Sequence, residues 1–540
     1  MKFRKSTKTF VTYSLCSAIL AIPTLALADG NAESAISKNP TAVENVLKNP
    51  QAGLATGIGT FQIEETTIAQ IQKALQTNKI SSVELVQMYL DRINAYDKNG
   101  PKINSVLTLN PDALKIAAEM DKQRGKGKQG PLFGIPVLLK DNVGTKDHMP
   151  TTAGAIALKD NYASEDSWVA KKLREAGAII LGKTNMSEWA YFMSGSAPSG
   201  YSGMGGQVLD PYGPTTFPVG SVGGSSSGSG ASIASNFAMV AIGTETSGSI
   251  LSPSSANSLV GIKPTVGLIS RTGIIPLSMS QDTAGPMART VTDAAITLGV
   301  LTGVDPTDSI TETNEGNALT DYTSHLKLDG LKGARIGVDY SYLTGTTQER
   351  IDQKRIIEEA IEVMKAQGAI IEDVTIPQHT WTSNVLYYEF KQNLNDYLKT
   401  TPATVKVKTL EDIINFNKED PTVRMKYGQS ILERSQSMNG LDDLAYLQQR
   451  ADDIKYSREL GIDKVMKENN LDALLFANNR GAGLPAKAGY PSITVPAGYT
   501  SSGMPVGVTF SAMAYSEPRL IELAYSYEQH SKKRVAPVLK

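Results

Sequence analysis

The stretch GSVGGSSSGSGASIASNFAMVAIGTETSGSI (residues 220–250) decides how the chain is read, because its Gly/Ser composition fits two opposite structures. A flexible linker would be bounded on both sides by polar, non-periodic sequence. This run instead continues into small residues at helical spacing, then into a buried-looking strand at 238–242, with a second Gly/Ser cluster, TETSGSI, directly behind it. Small-residue loops flanking a helix and a strand suit a place where backbone amides approach a ligand closely, and they equally suit a tightly packed turn. Composition alone leaves both open.

Outward from this stretch, apolar periodicity alternates between helix and strand. Residues 68–96 repeat at three and four, FGIPVLLK (133–140) is a short apolar strand, and DSWVAKKLREAGAIILGKTN (166–185) reads as helix, Gly turn, strand. The same order returns in GARIGVDY (333–340), a helix carrying Ile351, Ile357, Ala360, Ile361 and Met364, and GAIIEDVTIP (368–377). PSITVPAGYTSSGMPVGVTFSA (491–512) adds two strands around a Ser-Gly turn, before a closing helix at 519–529. This alternation predicts an α/β fold with a sheet covered by helices on both faces. Residues 380–470 are mostly helical and polar, which fits a cap over one end of that sheet.

At the N-terminus, Lys2, Arg4, Lys5 and Lys8 precede an apolar stretch that ends in Ala26-Leu27-Ala28. This is the pattern of a secretory signal (1–28), with cleavage expected after Ala28 and a secreted or periplasmic product. The competing reading is an uncleaved anchor over residues 10–27, which Pro23 and the small-x-small site weaken. Leu15 before Cys16 is too bulky for lipoprotein processing. Residues 29–60 are small, polar and weakly periodic, and read as a loosely attached leader before a compact body from Phe61.

Cys16 is the only cysteine, so the mature chain has no thiol nucleophile, no disulfide and no cysteine metal ligand. Of 53 Lys and Arg against 54 Asp and Glu, four cations leave with the signal, giving a net charge of about −5. Nothing in that balance points to nucleic acid as a partner. The four histidines, His148, His325, His379 and His530, sit in no nucleophile-elbow or HExxH setting. No Walker or dinucleotide fingerprint occurs. A serine nucleophile without histidine needs another base, and a lysine serves if burial keeps it neutral. Lys140, ending the apolar strand, is the candidate, with an ordinary solvated charge as the competing reading.

Five blocks then coincide: GIPVLLKDN, LGKTNMSEWA, GGSSSGSGASIASNFAMVAIGTETSGSI, VGIKPTVGLISRTGIIPLSMSQDTAGPMARTVTDAA and AGYPSITVPAGY. Together, in this order and across 61–537, they resemble the amidase signature family. The resemblance implies one α/β domain with a mixed, twisted central sheet between helices. It implies amide hydrolysis by a Ser-Ser-Lys triad carried on Lys140 of KDN, Ser225 of GGSSSG and Ser249 of TSGSI, the two serines standing 24 residues apart. It also implies a cis peptide between Gly224 and Ser225, an oxyanion hole from the backbone amides of Thr246, Ser247, Gly248 and Ser249, and no cofactor or metal.

Two positions depart from the family pattern. Ser247 precedes Gly248 where a second glycine is common, and Leu251 stands where arginine is common. Ser226 and Ser227 read as loop-packing or hydrogen-bonding residues, His148 as an ordinary loop histidine, and Asp141, Asn142 and Asp282 as either orienting or structural. Ser324 and Lys327 match an SxxK pattern without its KTG partner, which reads as chance.

Within the family the motifs look most like bacterial peptide amidases, which release ammonia from C-terminal peptide amides. The expected partner is thus a peptide or other small-molecule amide, with no nucleic acid and no stable membrane association once the signal is removed. A fatty-acyl or aryl amide hydrolase of the same family is the alternative substrate reading. A catalytically dead secreted binding module is the alternative of another class.

Overall fold

The structure is a computed structural model that describes residues 61–127 and 129–540. The signal and leader expectations, residues 1–60, lie outside the described residues. Short runs of apolar residues build one mixed sheet of eleven strands. In chain order these are β1 (Val106–Leu109), β2 (Pro136–Lys140), β3 (Ile179–Thr184), β4 (Val240–Glu245), β5 (Val260–Lys263) and β6 (Thr283–Ala288). Then follow β7 (Arg335–Val338), β8 (Ile370–Asp373), β9 (Ala473–Ala477), β10 (Ser492–Tyr499) and β11 (Pro505–Ser511). Across the sheet they run β1-β3-β2-β4-β6-β5-β10-β11-β9-β7-β8.

The sheet is parallel where helices cross over, β3-β2-β4 and β9-β7-β8, and antiparallel through its middle from β4 to β9. Every residue of β2, β3, β4, β5 and β6 is buried. Strands covered on both faces read as continuous apolar runs rather than as alternating ones, which is how they stand in the sequence. The α/β class and the mixed sheet are as expected.

Two details differ from the periodicity. Residues 68–96 do not form one helix: Ile68–Gln76 and Ser82–Ile93 each open on their own capping box, Thr67 with Gln70 and Ser81 with Glu84. Between them Asn78 takes a left-handed φ of 52°, which ends the first helix. In the helix Gln348–Ala366, the residues Ile356, Ile357, Ala360, Ile361 and Met364 face the core, but Ile351 is exposed. Around the helix it lies about 120° from Ile357 and about 80° from Ile361, the nearest of these buried residues.

Between β8 and β9 the chain is helical, including Val385–Thr400, Leu410–Glu419, Ser430–Gln436 and Leu444–Ile454. Phe390, Leu394, Leu398, Leu410, Ile413 and Leu432 from this region join Met186, Trp189, Phe192, Ile275 and Leu277 in a second apolar core. Phe390 lies edge-on to Trp189 and Phe192, with ring centroids 6.3 and 5.1 Å away. Each such buried side chain contributes roughly 1.5–3 kcal/mol. The contact fixes the loop after β3, which borders the site.

Candidate active site

The Gly/Ser run is not slack. Residues Ser227–Ala234 form a helix in which every residue is buried. A Cβ on Gly228 would stand 2.3 Å from the carbonyl oxygens of both Asn185 and Ser105. One on Gly224 would stand 2.7 Å from Ser187 Oγ and from Ser199 Oγ. The serines fill the hydrogen bonds of this tight contact. Ser226 Oγ donates to Thr244 O at 3.1 Å and accepts from Thr244 N at 3.2 Å, and Ser227 Oγ donates to Gly223 O at 2.6 Å. The peptide between Gly224 and Ser225 is cis, as the resemblance implied.

β2 and β4 are parallel neighbours, so Lys140 and Thr244 come together at the same end of the sheet. Lys140 is fully buried, not a solvated strand end. Its Nζ lies 2.8 Å from Ser225 Oγ, 3.1 Å from Thr244 O and 2.9 Å from Thr244 Oγ1. Burial pushes the ammonium down to about 7, against the opposing pull of Asp282 and Glu245. At neutral pH the free amine is therefore a major species. A neutral amine has two N–H donors and one lone pair. With both donors given to Thr244, the lone pair points at Ser225 Oγ, whose hydroxyl then donates to it.

Ser249 is 8% exposed, and its Oγ has no hydrogen-bond partner among the described residues. It is tied to the Ser225 loop by the bond from Ser226 N to Ser249 O, 3.2 Å. The structure thus joins Lys140 to Ser225 directly and ties Ser249 to the same loop through the backbone of Ser226.

The oxyanion expectation needs one correction. Gly248 N donates to Glu245 Oε1 at 2.7 Å, while Ile250 N and Leu251 N donate to Glu245 Oε2 at 2.7 and 3.0 Å. The buried Glu245 carboxylate needs donors of its own, and it takes the Gly248 amide away from any substrate. The amides of Thr246, Ser247 and Ser249 have no acceptor among the described residues. Leu251, in place of the family's arginine, is buried at the start of a short helix.

The remaining expectations divide. Asn142 Nδ2 donates to Thr244 Oγ1 at 3.0 Å, so Asn142 belongs to the site. Thr246 Oγ1 donates to Asp282 Oδ1 at 2.5 Å, and Asp282 Oδ2 accepts from Leu277 N and Ser278 N at 2.7 and 2.9 Å. Asp282 thereby anchors the loop that walls a cavity with Asn142, Thr244, Thr246 and Ile275. Asp141 points away, accepting from Thr152 Oγ1 and from Gly154 N, and burial pushes its carboxyl up to about 6. His148 is exposed and paired with Asp112 at 3.0 Å. Lys327 pairs with Glu522 at 2.7 Å on the surface, so its SxxK spacing is accidental. Thr244 and Glu245 were missed. Both lie inside GTETSGSI, but a polar pair at a strand end carries no signal of its own. Among the described residues, no group of three or more His, Cys, Asp or Glu is gathered to hold a metal ion.

The sequence profile of the family described as "Amidase" matches residues 84–483. An Arabidopsis thaliana protein named as a probable amidase is 39% identical over 496 residues, spanning 88% of this chain and 92% of its own length. The structure of native peptide amidase from Stenotrophomonas maltophilia superposes with a TM-score of 0.82 at 41% identity, covering 88% of this chain and 99% of that one. An amidase family protein from Bacillus anthracis gives a TM-score of 0.82 at 41% identity over 92% and 95% of the two chains.

Proposed function

The chain belongs to the amidase family and is an amide hydrolase, and from that premise we propose that it works through Lys140, Ser225 and Ser249 on C-terminal peptide amides outside the cytoplasm. Neutral Lys140 holds the Ser225 proton by its lone pair. As Ser249 Oγ attacks the amide carbon, its own proton passes to Ser225 Oγ and the Ser225 proton to Lys140 Nζ. The amides of Thr246, Ser247 and Ser249 receive the developing oxyanion, each such donor contributing on the order of 100-fold in rate. Lys140 then returns a proton through Ser225 to the departing nitrogen, and ammonia leaves an acyl group on Ser249. Water adds to that ester by the same relay, releasing the carboxylic acid and restoring the serine.

The observation that carries this reading is the 2.8 Å contact from Lys140 Nζ to Ser225 Oγ, with Thr244 holding the other two directions. The preference for peptide amides rests on the 41% identity to a peptide amidase across nearly its whole length. Export rests on the residue pattern before Ala28. Ammonia release from a dipeptide amide tests the chemistry. Ser249→Ala and Lys140→Ala should each abolish it, and full turnover in either variant would refute the assignment. Turnover of a fatty-acyl or aryl amide in place of the dipeptide amide would refute the substrate class alone.

A further inference from the structure

Trp189, Ala190 and Tyr191 form a left-handed turn, with φ of 52, 57 and 71°. Ala190 lines the cavity that holds Asn142, Thr244 and Thr246. Its neighbour Tyr191 lines a different one, with Glu188, Tyr201, Lys426 and Tyr427. Two cavities therefore adjoin one turn, and only the first contains residues used by the proton relay.

Glu188 is 7% exposed. Its Oε2 accepts from Gly203 N at 2.7 Å. Oε1 has no hydrogen-bond partner among the described residues, and no cation there lies within ion-pair distance of the carboxyl. Burial without a counter-charge pushes this carboxyl up to about 8. A buried carboxylate is ordinarily kept with a partner, because leaving it unpaired is costly. Glu188 meets that cost by holding its proton near neutral pH, and a cation brought against it would release the proton and leave the carboxylate as its counter-charge.

The wall of the cavity is suited to a cation. The rings of Tyr201 and Tyr427 meet edge to face, centroids 4.8 Å apart. The exposed Lys426 rests its ammonium over both, 5.5 and 5.3 Å from the centroids, so these faces already carry a positive charge. Arg424, also on the rim, is committed elsewhere: it pairs with Glu419 at 2.9 Å and stacks on Phe416. The walls are fastened together, with Ser194 Oγ donating to Tyr427 O at 2.7 Å and Ile431 N to Met193 O at 3.3 Å.

We propose that this cavity is a subsite for a cationic group of the amide substrate, an ammonium, with Glu188 as its counter-charge, Tyr201 and Tyr427 as its aromatic wall, and Lys426 as the resident cation it displaces. The proposal rests on the amide-hydrolase reading and names a substrate class for it, peptide amides bearing a basic residue.

The test compares acetylated dipeptide amides of equal length carrying lysine or norleucine, placed in turn at each of the two positions. In the wild type, kcat/KM for one lysine compound should exceed that of its norleucine partner by about tenfold. Glu188→Gln should erase that preference. Lys426→Ala, at an exposed position that does not endanger folding, should enlarge it by removing the competitor. A wild type indifferent to the charge, or a preference that survives Glu188→Gln, overturns the proposal while leaving the amidase intact. A preference for a glutamate-bearing amide that Lys426→Ala weakens would make the cavity an anion site and overturn it too. Failure to hydrolyse any of these compounds would instead strike the peptide-amide reading itself.

Discussion

Two oxygens of Thr244, the carbonyl and Oγ1, take hydrogen bonds from Lys140 Nζ, and together they leave its lone pair for Ser225. In Thr244→Val the second N–H has no acceptor and turns toward Ser225 Oγ, reversing the direction in which that proton is held. Loss of one such hydrogen bond predicts a fall in kcat on the order of tenfold. Thr244→Ser should restore most of it, which a purely packing role for the methyl group would not allow. The lysine also sets the pH response. Its ammonium is held down to about 7, and only the neutral amine accepts a proton, so kcat/KM should rise with pH through about 7 and level off above it. Lys140→Arg, which cannot lose its charge at any such pH, should be inactive across the whole range.

The same residues show why the sequence points to the proposed triad but not to its supports. Lys140, Ser225 and Ser249 stand inside motifs whose order and spacing can be matched along the chain. Thr244 contacts a lysine 104 positions away, and nothing in its own neighbourhood marks that contact. The Gly248 amide is expected in the oxyanion hole because it stands within TSGS, residues 246–249. Its actual partner, Glu245, three residues earlier, is only visible once the chain has turned back on itself.

Among the elements, the helix Ser227–Ala234 carries the most stringent packing. Gly228 sits against two backbone carbonyls that cannot rotate aside, so Gly228→Ala should cost more than the roughly 1–3 kcal/mol of ordinary overpacking. A large drop in melting temperature, or loss of folded protein, is the expected result. Composition could not distinguish this rigid helix from a tether, since a Cβ clash depends on what the rest of the fold places opposite each glycine. The strands were easier to read. β2, β3 and β4 are buried throughout, and their apolar runs announce that burial directly. The long helix was legible except at Ile351, where an apolar residue lies off the buried stripe and faces solvent.

On the scale of the molecule, the helices between β8 and β9 and the loop after β3 share one apolar core. Phe390, fully buried against Trp189 and Phe192, joins the two. Phe390→Ala should cost about 3–5 kcal/mol of stability. Because Trp189 opens the turn between the two cavities, kcat/KM on a peptide amide should fall with it, read from a melting curve and steady-state rates on the same sample. For export, the N-terminal residue of the protein recovered outside the cytoplasm should be Asp29.

In the proposed mechanism Ser249 is acylated while Lys140 and Ser225 move its proton. A serine-directed phosphonate, followed by mass analysis of the digested protein, tests this most directly. One adduct per chain on the peptide containing Ser249 is predicted, with labelling slowed strongly in Lys140→Ala. An adduct on another serine, or none on a folded protein that still releases ammonia from peptide amides, would contradict it.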